Sequence, residues 1–153
     1  MKVWRLTSTQ YADRAFDGEG ARLYGGRWNP EGVAVVYTAE HLSLAILEQL
    51  VHLRPERKLA PRVAISADIP DDLPTERLDF ADLPDDWRTV EGNADLKDLG
   101  RDWVDRAETA LLDVPSVLVP QERNIVINPY HADFETLDIA PPEPFEFDPR
   151  LLS

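Results

Sequence analysis

The hexapeptide Tyr24-Gly25-Gly26-Arg27-Trp28-Asn29 is the first stretch of this chain whose residue types suit an anion held beside a planar ring. Two glycines let backbone approach a ligand, a guanidinium grips a phosphate through two parallel N–H bonds, and flanking rings stack on a base. The same six residues also describe a turn with two buried aromatics and a surface arginine. Glu48 is the second candidate, set in the apolar run Leu44–Val51 with Gln49 as its only polar neighbour. A carboxylate among core formers is drawn toward the interior, where it needs a partner, and Arg5 or Arg27 is the available counter-charge. The alternative is a Glu48 that faces water between two buried stripes. Tyr37 closes the run Val33–Tyr37, at a strand end where ligand sites are frequent, although a core tyrosine fits there too. Ser116 begins a buried strand as a lone polar side chain and needs a hydrogen-bond partner, backbone or ligand.

Other chemistries lack their residues. There is no cysteine, hence no thiolate metal site, cysteine nucleophile or disulfide. The histidines are His41, His52 and His131. On a helix His41 and His52 share a face but sit about 16 Å apart, no HExxH spacing occurs, and no metal is expected. The Gly25-Gly26 pair matches neither GxGxxG nor the P-loop pattern.

These side chains need a scaffold. Val3–Leu6 reads as a first strand, Thr9–Phe16 as a short helix broken by Gly18 and Gly20, and 23–30 as a loop. Val33–Tyr37 reads as a central strand and Leu42–Leu53 as the clearest helix, stopped by Arg54-Pro55. Arg62–Ile69 alternates as a strand. Residues 70–93 form a Pro/Asp-rich connection, 94–113 a second long helix, and 115–119 and 124–128 two strands joined by a turn. A Pro-rich tail follows. The class is α+β with a mixed or antiparallel sheet and few helices, in one domain over residues 1–153.

Charge is unevenly spread. The net charge is −13, but residues 1–60 carry +1 and residues 61–153 carry −14. Such a field repels a phosphate backbone, so direct nucleic-acid binding is not expected, and an anionic ligand has to be held locally by arginines. The acidic half suits a basic partner. The longest apolar run is too short to span a bilayer, and residues 1–20 lack the apolar stretch of a signal peptide, so a cytoplasmic location is expected.

In order along the chain, Trp4-Arg5, Gly25–Asn29, Val36-Tyr37, Leu47-Glu48 with Val51-His52, Val114-Pro115-Ser116 and Asn124–Pro129 resemble the RES-domain family. The resemblance implies a fold similar to the diphtheria-toxin type of ADP-ribosyltransferase. It also implies a toxin of a bacterial type II toxin–antitoxin pair, with an Xre-like helix-turn-helix antitoxin covering the active site. NAD+ is then the substrate, cleaved at the nicotinamide–ribose bond by water or phosphate, and no prosthetic cofactor is implied. The alternatives are an ADP-ribosyltransferase acting on a specific protein and a catalytically inactive partner-binding module. On this resemblance Arg27, Tyr37 and Glu48 are the catalytic set, and Arg5, Arg27, Trp28, Tyr37, Ser116 and Asn124 contact NAD+. Trp28 stands where the family carries an aromatic.

Overall fold

The computed structural model describes residues 1–89 and 93–152. Its strands are β1 (Lys2–Ser8), β2 (Val36–Ala39), β3 (Arg62–Asp68), β4 (Thr75–Arg77), β5 (Leu111–Pro115), β6 (Arg123–Ile127), β7 (Asp138–Ile139) and β8 (Glu143–Phe145). Among the described residues they form one sheet in the order β4-β5-β6-β2-β1-β3-β7, with β8 also pairing β3. Among the described residues only β4 and β5 run parallel. The helices are α1 (Glu19–Tyr24), α2 (Leu42–Val51) and α3 (Ala94–Arg106), with short 3₁₀ turns between elements. The α+β class with few helices is thus borne out.

Strand alternation sends side chains to opposite faces of the sheet. Leu111, Ile125 and Ile127 join Val3, Val63 and Ile65 in one core cluster. Leu112, Val114 and Val126 join Trp28, Trp87, Leu96 and Trp103 in another, against α3. A third cluster seats α2, through Leu44 and Ala45, on Leu6, Ala39 and Ala64, with Phe147 of the tail over it.

Several elements differ from expectation. The helix expected over 94–113 ends at Arg106, because Ala107 adopts a left-handed φ of 52° and caps it. Residues 111–115 are then strand, and Ser116 follows β5 rather than opening a strand. The central strand begins at Val36 and runs past Tyr37 to Ala39. Gly18 does not simply break structure: in the left-handed region (φ 75°) it precedes α1, which occupies part of the expected loop. Thr9–Arg14 is 3₁₀ rather than α, and α2 stops at Val51. Within the expected connection over 70–93 lie β4 and a 3₁₀ turn at Phe80–Asp82, while its residues 90–92 lie outside the described residues.

Candidate active site

The sheet is split where the cavity lies. β1 pairs with β3 along seven registered positions, from Lys2↔Asp68 to Ser8↔Arg62. With β2 it makes a single registered pair, Trp4↔Ala39. Beyond that pair the strands part, and the Arg5 guanidinium spans the gap: its Nη1 donates to the Tyr37 carbonyl at 3.1 Å. Trp4, Arg5 and Leu6 from β1 and Tyr37, Thr38 and Ala39 from β2 line a cavity of about 790 Å³, ample for a dinucleotide-sized ligand. Arg5 is enclosed by protein on every side but the cavity. Desolvation pushes its pKa below the usual arginine value, opposed in part by Asp17, and among the described residues its buried Nε has no hydrogen-bond partner.

One wall is the Gly25–Asn29 turn. Gly25 holds a φ of 72° and Gly26 leaves room for Tyr37. A Cβ on Gly26 would lie 2.7 Å from the Tyr37 hydroxyl oxygen, too close for any side chain. That hydroxyl donates to Asn29 Oδ1 at 2.6 Å and accepts from the Trp28 amide at 3.0 Å, so both its bonds lie inside the protein. Burial raises its pKa, and it stays a neutral phenol. Asn29 is fully buried and its amide donates to the carbonyls of Ala21, Pro30 and Val33. Helix α3 clamps the turn from outside. Lys97 Nζ donates to the Gly26 carbonyl. A Cβ on Gly100 would lie 1.6 Å from the Trp28 carbonyl oxygen, so helix and turn meet backbone to backbone. Arg27, half-buried, lines the cavity and donates through Nη1 to the carbonyls of Trp87 (3.2 Å) and Thr89 (3.0 Å).

The facing wall holds Glu48, half-buried on α2. Its Oε1 accepts from Ser116 Oγ at 3.4 Å, and the Asn124 amide is a second donor. The counter-charge expected from Arg5 or Arg27 is not there: no ion pair among the described residues joins Glu48 to either. Desolvation outweighs both hydrogen bonds and raises the Glu48 pKa above the ordinary carboxylate range. Ser116 is fully buried behind Glu48, and its oxygen also accepts from the amides of Leu118 and Val119, both at 3.2 Å. Asn124 lines the cavity and ties its amide to the Thr38 carbonyl at 3.2 Å.

The expected residues therefore converge from four elements and two turns, in different manners. Arg5, Arg27, Trp28, Tyr37, Glu48 and Asn124 line the cavity, whereas Ser116 supports Glu48 from behind. Trp28 is 3% exposed and belongs mainly to the core. Tyr24, the other ring of the hexapeptide, is 81% exposed and outside the lining. Sequence reasoning missed Lys97, Gly100 and Arg88. A glycine inside an amphipathic helix was the available signal for Gly100, since such a residue usually marks close approach of another backbone. Among the described residues Glu40, His41 and Glu122 offer metal-ligand atoms within 4.8 Å of one another, outside the cavity lining. Glu122 lies too far along the chain for a local spacing motif to reveal it.

The profile described as "RES domain" matches residues 2–148. A protein named "Toxin Res" from Yersinia enterocolitica is 38% identical over 152 residues, covering 99% of each chain. A "Prs ADP-ribosylating toxin" from a Sphingobium species is 35% identical over 153 residues, covering 97% of this chain and 95% of that one. A solved structure described as the M. tuberculosis MbcT-MbcA toxin-antitoxin complex shares the fold, with a TM-score of 0.77 at 18% identity over 95% of this chain and 84% of that one. No helix among the described residues is long and apolar enough to cross a membrane.

Proposed function

The chain belongs to the RES-domain family, with relatives named as toxins, and from that premise we propose that it is the NAD+-consuming toxin of a toxin–antitoxin pair. The observation that carries this reading is Glu48: a desolvated carboxylate facing a dinucleotide-sized cavity and held by neutral donors. When the nicotinamide–ribose bond breaks, its electron pair goes to the pyridinium nitrogen, and nicotinamide leaves neutral. Positive charge develops on the ribose as an oxocarbenium-like centre. Ionised Glu48 faces that charge, and because Ser116 and Asn124 orient it without cancelling it, its full field remains for the transition state. No general acid is required, in keeping with the few histidines. The acceptor oxygen adds at the anomeric carbon; when the acceptor is water, its proton passes to solvent.

On this reading Arg27 holds the diphosphate. Arg5 supplies positive potential from the cavity floor. With the Tyr37 hydroxyl engaged by Trp28 and Asn29, its ring is the part offered to the ribose or nicotinamide. Asn124 serves the site from the lining, Ser116 by fixing Glu48, and Trp28 through the edge it shows to the cavity.

A second reading, transfer of ADP-ribose to a protein, is favoured by the relative named an ADP-ribosylating toxin. The deciding experiment incubates partner-free protein with labelled NAD+, alone, with phosphate and with lysate. Free ADP-ribose identifies water as acceptor, its phosphate ester identifies phosphate, and a labelled protein band identifies transfer. NAD+ intact under all three conditions overturns both readings. The partner proposed is an Xre-like antitoxin seated over the cavity mouth, where Val51 of α2 lines the cavity and is 60% exposed.

A further inference from the structure

Arg88 belongs to no motif that marked this family, yet it lines the cavity. It follows Asp85 and Asp86 in the chain and pairs with neither. Its Nε instead donates to the Val117 carbonyl at 3.0 Å. Val117 adjoins Ser116, the residue that holds Glu48, so this bond anchors Arg88 beside the Glu48 wall. The carbonyls on either side of Arg88, those of Trp87 and Thr89, accept from Arg27. Trp87 is buried and stacked on Phe80, which fixes the root of the segment. Two guanidiniums therefore share one rim. The Val117 carbonyl orients the Arg88 guanidinium without neutralising it, and among the described residues the two Nη groups of Arg88 have no partner. In a chain of net charge −13, two adjacent arginines at a cavity suit an anion of two charges presented side by side.

We propose that Arg88 is a second diphosphate-binding arginine of this cavity and sets its preference for dinucleotides over ligands without a diphosphate. The proposal rests on reading the cavity as an NAD+ site. Charged hydrogen bonds of this kind change affinity by roughly ten- to a hundredfold.

The test is calorimetric titration of the full chain with ADP and with adenosine, for wild type, Arg88→Gln and Arg88→Lys, alongside NAD+ kinetics. Arg88→Gln is expected to weaken ADP binding by roughly ten- to a hundredfold while adenosine binds as before, and to raise KM for NAD+ more than it lowers kcat. Arg88→Lys keeps the charge but loses the fork, and falls between. If Arg88→Gln does not fold, Arg88→Lys alone decides, by a selective loss of ADP affinity or its absence. Equal loss for ADP and adenosine would make Arg88 merely structural and overturn the proposal, as would unchanged ADP affinity. Wild type that cleaves NAD+ but shows no ADP binding overturns the Arg88 assignment and leaves the NAD+ reading standing. Wild type that neither binds nor cleaves NAD+ overturns both.

Discussion

The two walls of the cavity are built on opposite principles. In the Gly25–Asn29 wall the shape is over-determined. Tyr37, Asn29 and Lys97 commit their polar groups to the turn, and α3 presses backbone against backbone at Gly100. In the Glu48 wall one charge is left short of compensation, with two neutral donors and, among the described residues, no ion pair. The first wall holds a geometry and the second holds a field. Desolvating a carboxylate costs stability, so the second wall contributes to function at the expense of the fold. Substitutions should separate the two: changes at the first wall lower stability and activity together, and changes at Glu48 lower activity alone.

The largest effect is expected at Glu48. Glu48→Gln keeps size and hydrogen bonding, removes the charge, and should lower kcat about a hundred- to a thousandfold, with NAD+ affinity changed far less. Steady-state kinetics beside equilibrium binding would show it, and near-normal turnover would erase the distinction between the walls. Gly100→Ala comes next. The new Cβ, 1.6 Å from the Trp28 carbonyl oxygen, must push α3 off the turn, a loss of about 3 kcal/mol or more by analogy with severe overpacking. Urea unfolding measures it, and a variant as stable as wild type would show that the helix does not clamp the turn. Tyr37→Phe is a milder blow to the same wall. It strands the Trp28 amide and Asn29 Oδ1 for about 1–3 kcal/mol, and activity should fall with it because Arg27 rides on that turn.

The smallest effect is one of sign. Because the fold raises the Glu48 pKa, the native state binds the proton more tightly than the unfolded chain. The stability contribution of this group is therefore greatest below the unfolded pKa. It declines as pH rises through the folded one. Glu48→Gln should then melt no lower than wild type at pH 7, and any gain should vanish in acid. Activity should move oppositely, falling on acidification with a midpoint above the ordinary glutamate range. Thermal melts and a pH–rate profile test the two halves, and a Glu48→Gln protein clearly less stable at neutral pH would refute the uncompensated charge.

The same contrast explains what the sequence revealed. Glu48 was legible because an acid inside Leu44–Val51 breaks an apolar pattern, and Arg27 because it follows two glycines. β1, α2 and β3 were legible from local periodicity. The clamp was not, since Lys97 and Gly100 meet residues some seventy positions earlier. The end of α3 was hidden by Ala107, a residue type that rarely takes positive φ, with Leu111-Leu112 continuing the helical spacing beyond it. The lack of an ion pair at Glu48 among the described residues was equally hidden: nothing local in the sequence shows that Arg5 reaches the Tyr37 carbonyl, or Arg27 those of Trp87 and Thr89. Ser116 was found as a polar residue in need of a partner, and that partner is Glu48.

Cleavage of the nicotinamide–ribose bond in this cavity has nicotinamide as its signature product. The most direct test is a time course of nicotinamide release from NAD+ by the purified, partner-free chain, quantified against loss of NAD+. Release in step with NAD+ consumption is expected, over many turnovers with water or phosphate as acceptor, or up to the amount of protein acceptor supplied. Folded, partner-free protein that binds NAD+ but releases no nicotinamide with any acceptor would contradict it.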